Sequence, residues 1–402
     1  MKTQLLPQHQ QSALGQEADA ILRSCVHCGF CTATCPTYQL LGDELDGPRG
    51  RIYLIKQVLE GNTPTPRTQL HLDRCLSCRG CETTCPSGVR YGRLLDIGRE
   101  LVDETVERPM WARLQRRALR LILPHAGRFA LLLGLARLLR PLLPRTVQGK
   151  IPVRQFLPTW PTARHARRML VLQGCAQSVA TPLSNVAAAR VLDRLGISLI
   201  AAHEAGCCGA LSHHLSAAAE ARDFMRRNID AWWPHIEQGA EAIVVSASGC
   251  GVMLKDYGKL LADDPVYAEK AARVAALSRD LGEVLAGEDL AALRANRPLR
   301  LAYHPPCTLQ HGQQLPGLVE KILTRLGHQL LPIRDSHLCC GSAGTYSLLQ
   351  PALSQQMLKN KLGHLTAEQP ELIVTANVGC QLHLGSQSAL PVRHWIELLD
   401  QH

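Results

Sequence analysis

No stretch of this 402-residue sequence runs through eighteen apolar residues, so no single helix is expected to cross a bilayer. The first 23 residues lack the apolar core of a secretory leader. The expectation is an unexported chain on the cytoplasmic side, with its thiols reduced. A dinucleotide fingerprint is also missing, since Gly249-Cys250-Gly251 has no third glycine and no ribose-binding acid after it. No flavin is therefore expected on this chain. No Ser/His/Asp set or general-base arrangement stands out, and no catalytic residue is assigned. Finally, acid is missing from one segment. Between Arg108 and Arg168 there are fourteen Lys or Arg and no Asp or Glu. The net charge is +10, so the rest of the chain sums to −4.

What is abundant is cysteine: there are 16. Half lie in two copies of one pattern, C-x2-C-x2-C-x3-C-P. These are Cys25, Cys28, Cys31 and Cys35 before Pro36, and Cys75, Cys78, Cys81 and Cys85 before Pro86. This is the run that ligates [4Fe–4S] cubanes in bacterial-type ferredoxins, where the fourth cysteine reaches the other cluster. On that rule the first cluster takes Cys25, Cys28, Cys31 and Cys85, and the second takes Cys35, Cys75, Cys78 and Cys81. Zinc has no use for a third C-x2 step followed by C-x3-C-P. With every corner taken by sulfur, the clusters should carry electrons and not bind substrate.

The 39 residues between Cys35 and Cys75 are too many for a compact β ferredoxin and suit a helical one. Residues 13–24 read as a helix, Ile52, Ile55 and Leu59 recur at helical spacing, and 94–106 close the domain. The basic segment follows, with Arg113, Arg116, Arg117 and Arg120 on one helical face and Leu114, Ala118, Leu121 and Ile122 on another. A second apolar stretch, 129–139, stops at Pro141. Such a segment either lies in a membrane interface or docks on a partner subunit. Without aromatic platforms it is not expected to bind nucleic acid. From residue 169 strands alternate with helices, twice over. Cys175 and Cys307 are 132 apart, as are Cys207-Cys208 and Cys339-Cys340, while Cys250 and Cys380 are 130 apart. The expected fold is therefore α plus α/β: a helical two-cluster domain at 1–106, a basic amphipathic linker at 107–168, and duplicated cysteine-rich units at 169–297 and 298–402.

Eight further cysteines thus follow strand ends, where open α/β sheets bind ligands. Cys175, Cys207, Cys208 and Cys250 in one half, and Cys307, Cys339, Cys340 and Cys380 in the other, suit either further iron–sulfur clusters or redox thiols. His304 reads first as a strand-end histidine with a backbone partner, and otherwise as lining the site.

The Cys-Cys-Gly repeats resemble the cysteine-rich CCG domain of heterodisulfide reductase subunits and of iron–sulfur subunits of flavin dehydrogenases. The stretches 25–38, 45–53, 228–233 and 337–346 are similar to the glycolate oxidase (glycolate dehydrogenase) iron–sulfur subunits. That resemblance implies an electron-transfer subunit fed by FAD-binding subunits that oxidise glycolate to glyoxylate. It implies a membrane quinone as acceptor and a peripheral seat on the inner membrane. Lactate and glycerol-3-phosphate dehydrogenase subunits share the architecture, and the further alternatives are a thiol–disulfide reductase and an iron–sulfur redox sensor that binds nucleic acid through the arginine segment. The chain departs from the full CCG pattern at Ala247 and Asn377, which stand where each closing C-x-x-C has its first cysteine.

Overall fold

The computed structural model describes residues 1–144 and 148–400, and these form two compact units. One unit comprises residues 1–117, 214–216 and 337–361, and the other the remainder.

The first unit is helical where it carries the two cysteine motifs. Prolines open several of its helices, among them Pro36–Leu41, Pro48–Leu59 and Pro66–Asp73, because proline at the first turn sacrifices no hydrogen bond. Ser12 caps Ala13–Ser24 by accepting from the Gly15 amide at 3.0 Å, and Thr65 and Thr68 form a reciprocal cap on Pro66–Asp73. The apolar faces of Ala13–Ser24, Pro48–Leu59 and Tyr91–Thr105 meet in one core, through Ile21 and Leu22, Ile55 and Leu59, and Leu94, Leu95 and Ile97. The expected helices are present, each within a few residues of its reading. Pro66–Asp73 carries a proline and three polar residues among its first four and gave no periodic signal.

The second unit holds two parallel four-stranded sheets. In the first, β1 (Arg167–Val171), β2 (Ile197–Ala201), β3 (Ile243–Val245) and β4 (Ser278–Asp280) lie in the order β2-β1-β3-β4. In the second, β5 (Arg300–His304), β6 (Gln329–Leu330), β7 (Leu372–Thr375) and β8 (Val392–His394) repeat that order. Parallel strands buried on both faces read as unbroken apolar runs, and β1 alternates between two cores. Met169 and Val171 face one and Leu170 the other. The first of these cores is shared by both repeats, joining Val171, Leu199 and Val244 to Leu301, Tyr303, Val374 and Trp395. The edge strands β4 and β8, only three residues each and mostly polar, carried no strand signal in the sequence.

The basic segment forms helices Met110–Ile122 and Ala126–Leu139. Among the described residues no single helix is long and apolar enough to cross a membrane; these two pass that test only as a pair, bent by 106°. The cationic face read from sequence is divided. Arg116 pairs with Asp73 at 2.9 Å and Arg120 with Glu220 at 3.0 Å. Arg137 donates to the Pro152 carbonyl. The apolar residues are less engaged: Leu131, Leu132, Leu135 and Leu138, with Leu142, Val153 and Phe156 beyond, are all exposed.

Candidate metal centres

Both C-x2-C-x2-C loops use the same unusual backbone. His27 (φ 56°) and Gly29 (φ 85°) flank Cys28, and Ser77 (φ 53°) and Arg79 (φ 59°) flank Cys78. Only glycine adopts this left-handed region freely, so the other three carry strain of roughly 1–2 kcal/mol each. Strain of this kind persists where a ligand site over-determines the backbone. Turns of alternating hand also gather amide N–H groups into anion-binding hollows, as at iron–sulfur sites. The Ser77 amide donates to Cys75 Sγ at 3.5 Å.

The loops close two cavities. Cys25, Cys28, Cys31 and Cys85 line the first, Cys35, Cys75 and Cys78 line the second, and Cys81 borders both. Burial, then Cys25, Cys28 and Cys85 around it, push the Cys31 thiol up to about 11. Burial, then Cys78 and Cys75 with Glu82 and Cys35 behind them, raise Cys81 as well. Each fourth cysteine therefore sits among the first three of the other motif. Four thiolates crowded out of water repel one another unless a multiply charged metal group lies between them. An all-sulfur donor set selects soft metals and iron–sulfur clusters. The residues fit a cubane in each cavity, with no corner left over.

The second cavity has a built lining. Thr37 Oγ1 lies 3.2 Å from Cys35 Sγ, and the Tyr91 hydroxyl donates to Cys75 Sγ at 3.5 Å. Arg51, wholly buried, donates from both terminal nitrogens to Thr37 Oγ1 at 3.2 Å. It also donates to the His71 carbonyl at 2.7 Å and pairs with buried Asp46 at 3.4 Å. Arg74 closes on the same carboxylate at 2.8 Å. Sequence reasoning missed these roles, although Asp46 and Arg51 both fall in the 45–53 stretch that carried the resemblance.

In the first repeat the sheet brings distant cysteines together. Cys175 follows β1, Cys207 and Cys208 follow β2, and Cys250 lies in the first turn of the helix Ser248–Leu260 after β3. The crossing between β1 and β3 is where the strand order reverses, the usual ligand position in such sheets. The Sγ atoms of Cys175 and Cys207 are 3.5 Å apart, and Cys208 bonds both Cys207 and Cys250. Hydrogen bonds from Cys175 and Cys208, helped by the Gly209 amide and Arg227, pull Cys207 well below the usual thiol range. Cys175 and Cys208 are correspondingly raised. Gly209 (φ 88°) sets the turn, and its amide reaches Cys207 Sγ at 3.4 Å. A Cβ there would lie 2.9 Å from the Ala221 carbonyl oxygen. Buried Asn228 ties the pair down by donating to the Cys207 carbonyl at 2.8 Å, and Tyr257 donates to that of Cys208 at 2.9 Å.

The second repeat is divided differently. Cys307 after β5 and Cys380 in the helix Val378–Gly385 belong to the second compact unit, Cys339 and Cys340 to the first. Gly341 (φ 90°) repeats the Gly209 turn, with its amide 3.4 Å from Cys339 Sγ. His304 is 1% exposed, and a ring nitrogen lies within 4.8 Å of Cys380 Sγ; its carbonyl accepts from Thr375 Oγ1 at 2.9 Å. The two departures from the CCG pattern also differ. Ala247 is simply buried. Asn377 donates to Cys380 Sγ at 3.6 Å and accepts from the Gly249 amide of the other repeat at 3.3 Å. A tie between repeats stands where a fifth thiol would be.

Comparison with known proteins bears on this arrangement. Residues 21–89 match a family described as "4Fe-4S dicluster domain", and residues 169–255 and 301–385 each match "Cysteine-rich domain" (CCG). The "Glycolate oxidase iron-sulfur subunit" of Escherichia coli (strain K12) is 57% identical over 100% of this chain and 99% of its own. The chain belongs to the glycolate oxidase iron–sulfur subunit family. The "Probable glycolate oxidase iron-sulfur subunit" of Bacillus subtilis (strain 168) is 30% identical over 90% of this chain and 88% of its own. "Lactate utilization protein A" of Geobacillus kaustophilus is 30% identical over 53% of this chain and 90% of its own. The match over residues 21–89 and the family membership give the cofactors as iron–sulfur clusters and the role as electron transfer.

Proposed function

We propose that this chain receives electrons from FAD-binding subunits that oxidise glycolate to glyoxylate and delivers them to a quinone-type acceptor in the membrane. The observation that carries the reading is the pair of cysteine-lined cavities, each holding the fourth cysteine of the other motif. Cys25, Cys28, Cys31 and Cys85 would hold one cubane and Cys35, Cys75, Cys78 and Cys81 the other. When bound, each supplies a one-electron couple. The protein keeps the sulfurs fixed in strained loops and offers no open coordination position. The first loop faces outward: Val26 is 67% and Phe30 61% exposed, whereas Leu76, the counterpart of Val26, is 7% exposed. Cys28 is exposed with them, so the first loop is the natural port for a donor.

The apolar residues of the hairpin, with Arg113, Arg117, Lys150 and Arg154 beside them in sequence, favour a seat in the interface of an anionic membrane on its cytoplasmic side. Deleting residues 111–143 should release the complex from membranes; full retention would mean that this segment docks on a partner subunit instead. The central test is to isolate the complex anaerobically through this chain. Dye reduction is then assayed with glycolate, D-lactate and glycerol 3-phosphate side by side. Preferred glycolate turnover with co-purifying flavoprotein is expected. Preferred turnover of either other substrate would overturn the substrate assignment, and no turnover at all would overturn the relay.

A second reading rests on the convergent thiols of Cys175, Cys207, Cys208 and Cys250, which suit a further cluster. An anaerobic iron count decides it, since two cubanes account for eight irons per chain.

A further inference from the structure

The two cysteine cavities differ in what surrounds the sulfur, and that difference falls on specific side chains. Around the second cavity, Thr37 Oγ1 is 3.2 Å from Cys35 Sγ and the Tyr91 hydroxyl reaches Cys75 Sγ at 3.5 Å. Arg51 stands behind Thr37 with no solvent access, its charge held against buried Asp46, on which Arg74 also closes. Two guanidinium groups against one carboxylate leave a net positive charge beside Cys35 and Cys75. Among the described residues, no hydroxyl reaches a sulfur of the first cavity, and the N-terminal ammonium beside it donates to the Cys25 carbonyl at 2.7 Å. The arginine on that cavity's rim, Arg49, is 38% exposed and paired with Glu44 at 2.7 Å, so water screens it.

Resting on the cluster assignment above, we propose that Thr37, Tyr91 and Arg51 are positioning residues that raise the reduction potential of the second cubane selectively. Reduction adds one electron, drawn from the partner flavoprotein, with no bond made or broken and no proton taken up. The added charge spreads onto cysteine sulfur, where hydrogen bonds and nearby positive charge favour it and dry burial opposes it. Thr37 is the pivot. Its oxygen accepts from both Arg51 nitrogens, and its single proton is donated to the Asp46 carbonyl at 2.7 Å, with Cys35 Sγ 3.2 Å away as the other acceptor within reach. As charge builds on Cys35, that proton turns toward the sulfur, and Arg51 makes the hydroxyl a stronger donor. Tyr91 supplies the second donor, its hydroxyl 3.5 Å from Cys75 Sγ.

The test is a potentiometric EPR titration of the anaerobically isolated full-length holoprotein, comparing wild type with Thr37→Val, Tyr91→Phe and Thr37→Ser. Two cubane signals are expected in wild type. Thr37→Val should move one of them to lower potential by about 59 mV, a tenfold change for one electron, and leave the other in place. Tyr91→Phe, the mildest change in shape, should move the same signal in the same direction by less. Thr37→Ser keeps the hydroxyl and should restore the wild-type value, which a merely structural role for Thr37 would not predict. Failure of Tyr91→Phe to move either signal, or equal movement of both, overturns the proposal while leaving the cluster assignment standing. A wild-type protein without two cubane signals overturns both.

Discussion

The two cysteine-rich regions bury reactive sulfur in opposite ways. In the N-terminal loops, cysteines two and three residues apart are forced around a cavity by strained backbone, and buried charge is paired: Arg51 and Arg74 against Asp46. In the first repeat, cysteines separated by 32 residues or more meet because parallel strands end together. Across the repeats, burial shifts two other ionisable groups toward their neutral forms. Asp280 at the end of β4 is pushed up to about 7 by burial, and His394 at the end of β8 is pulled down to about 4 by burial, its ring meeting the Ser246 carbonyl at 2.8 Å. Local strain and ion pairs build one site, and sheet topology and desolvation build the other.

The largest effect should come from breaking the local site. Cys28→Ser should remove one cubane signal and its share of iron, stop electron transfer and leave flavin loading of the partner untouched. Unchanged EPR would overturn the ligand assignment, and the repeats should keep whatever iron they hold. Next in size, Arg51→Met leaves Asp46 with less compensation in a dry site and should cost about 3–5 kcal/mol, read by thermal unfolding of the holoprotein.

The repeats answer to pH. Asp280 keeps its proton in the fold above its ordinary value of 3.8, so its stabilising contribution is whole below that value and is lost as pH rises to about 7. His394, depressed from 6.5 to about 4, contributes above 6.5 and loses that contribution as pH falls. The two slopes oppose each other between about pH 4 and 6.5. Asp280→Asn keeps the cap on the Gly282 amide and removes one slope. Its melting temperature should then rise with pH over that window, and stability at pH 7 should exceed wild type by a few kcal/mol. A variant that follows the wild-type profile would mean that Asp280 is ionised in the fold.

The smallest contrast uses two glycines. Gly29→Ala places a Cβ at φ 85° against only the mobile end of Arg49 and should cost about 1 kcal/mol. Gly209→Ala adds a backbone clash at φ 88° and should cost about 2–3 kcal/mol. Chemical denaturation of the two variants measures both, and equal losses would remove the distinction between a loop site and a sheet site.

By itself, the sequence determined what depends on neighbours along the chain. Cysteine spacing, proline-led helices and the apolar runs of β1, β3, β5 and β7 were readable because loop closure and burial act within a few residues. The repeat period was readable for the same reason. Tertiary structure alone decided the rest. Arg51, Thr37 and Tyr91 meet across 54 positions of sequence around one pair of sulfurs, and nothing in their own spacing announces it. Asn377 exchanges a thiol for a tie to Gly249, 128 residues away. The edge strands β4 and β8 exist only because a neighbouring strand offers unpaired backbone groups, which no three-residue pattern encodes. Local covalent spacing fixed which thiols can share a cavity, and long-range packing fixed the electrostatic setting around them.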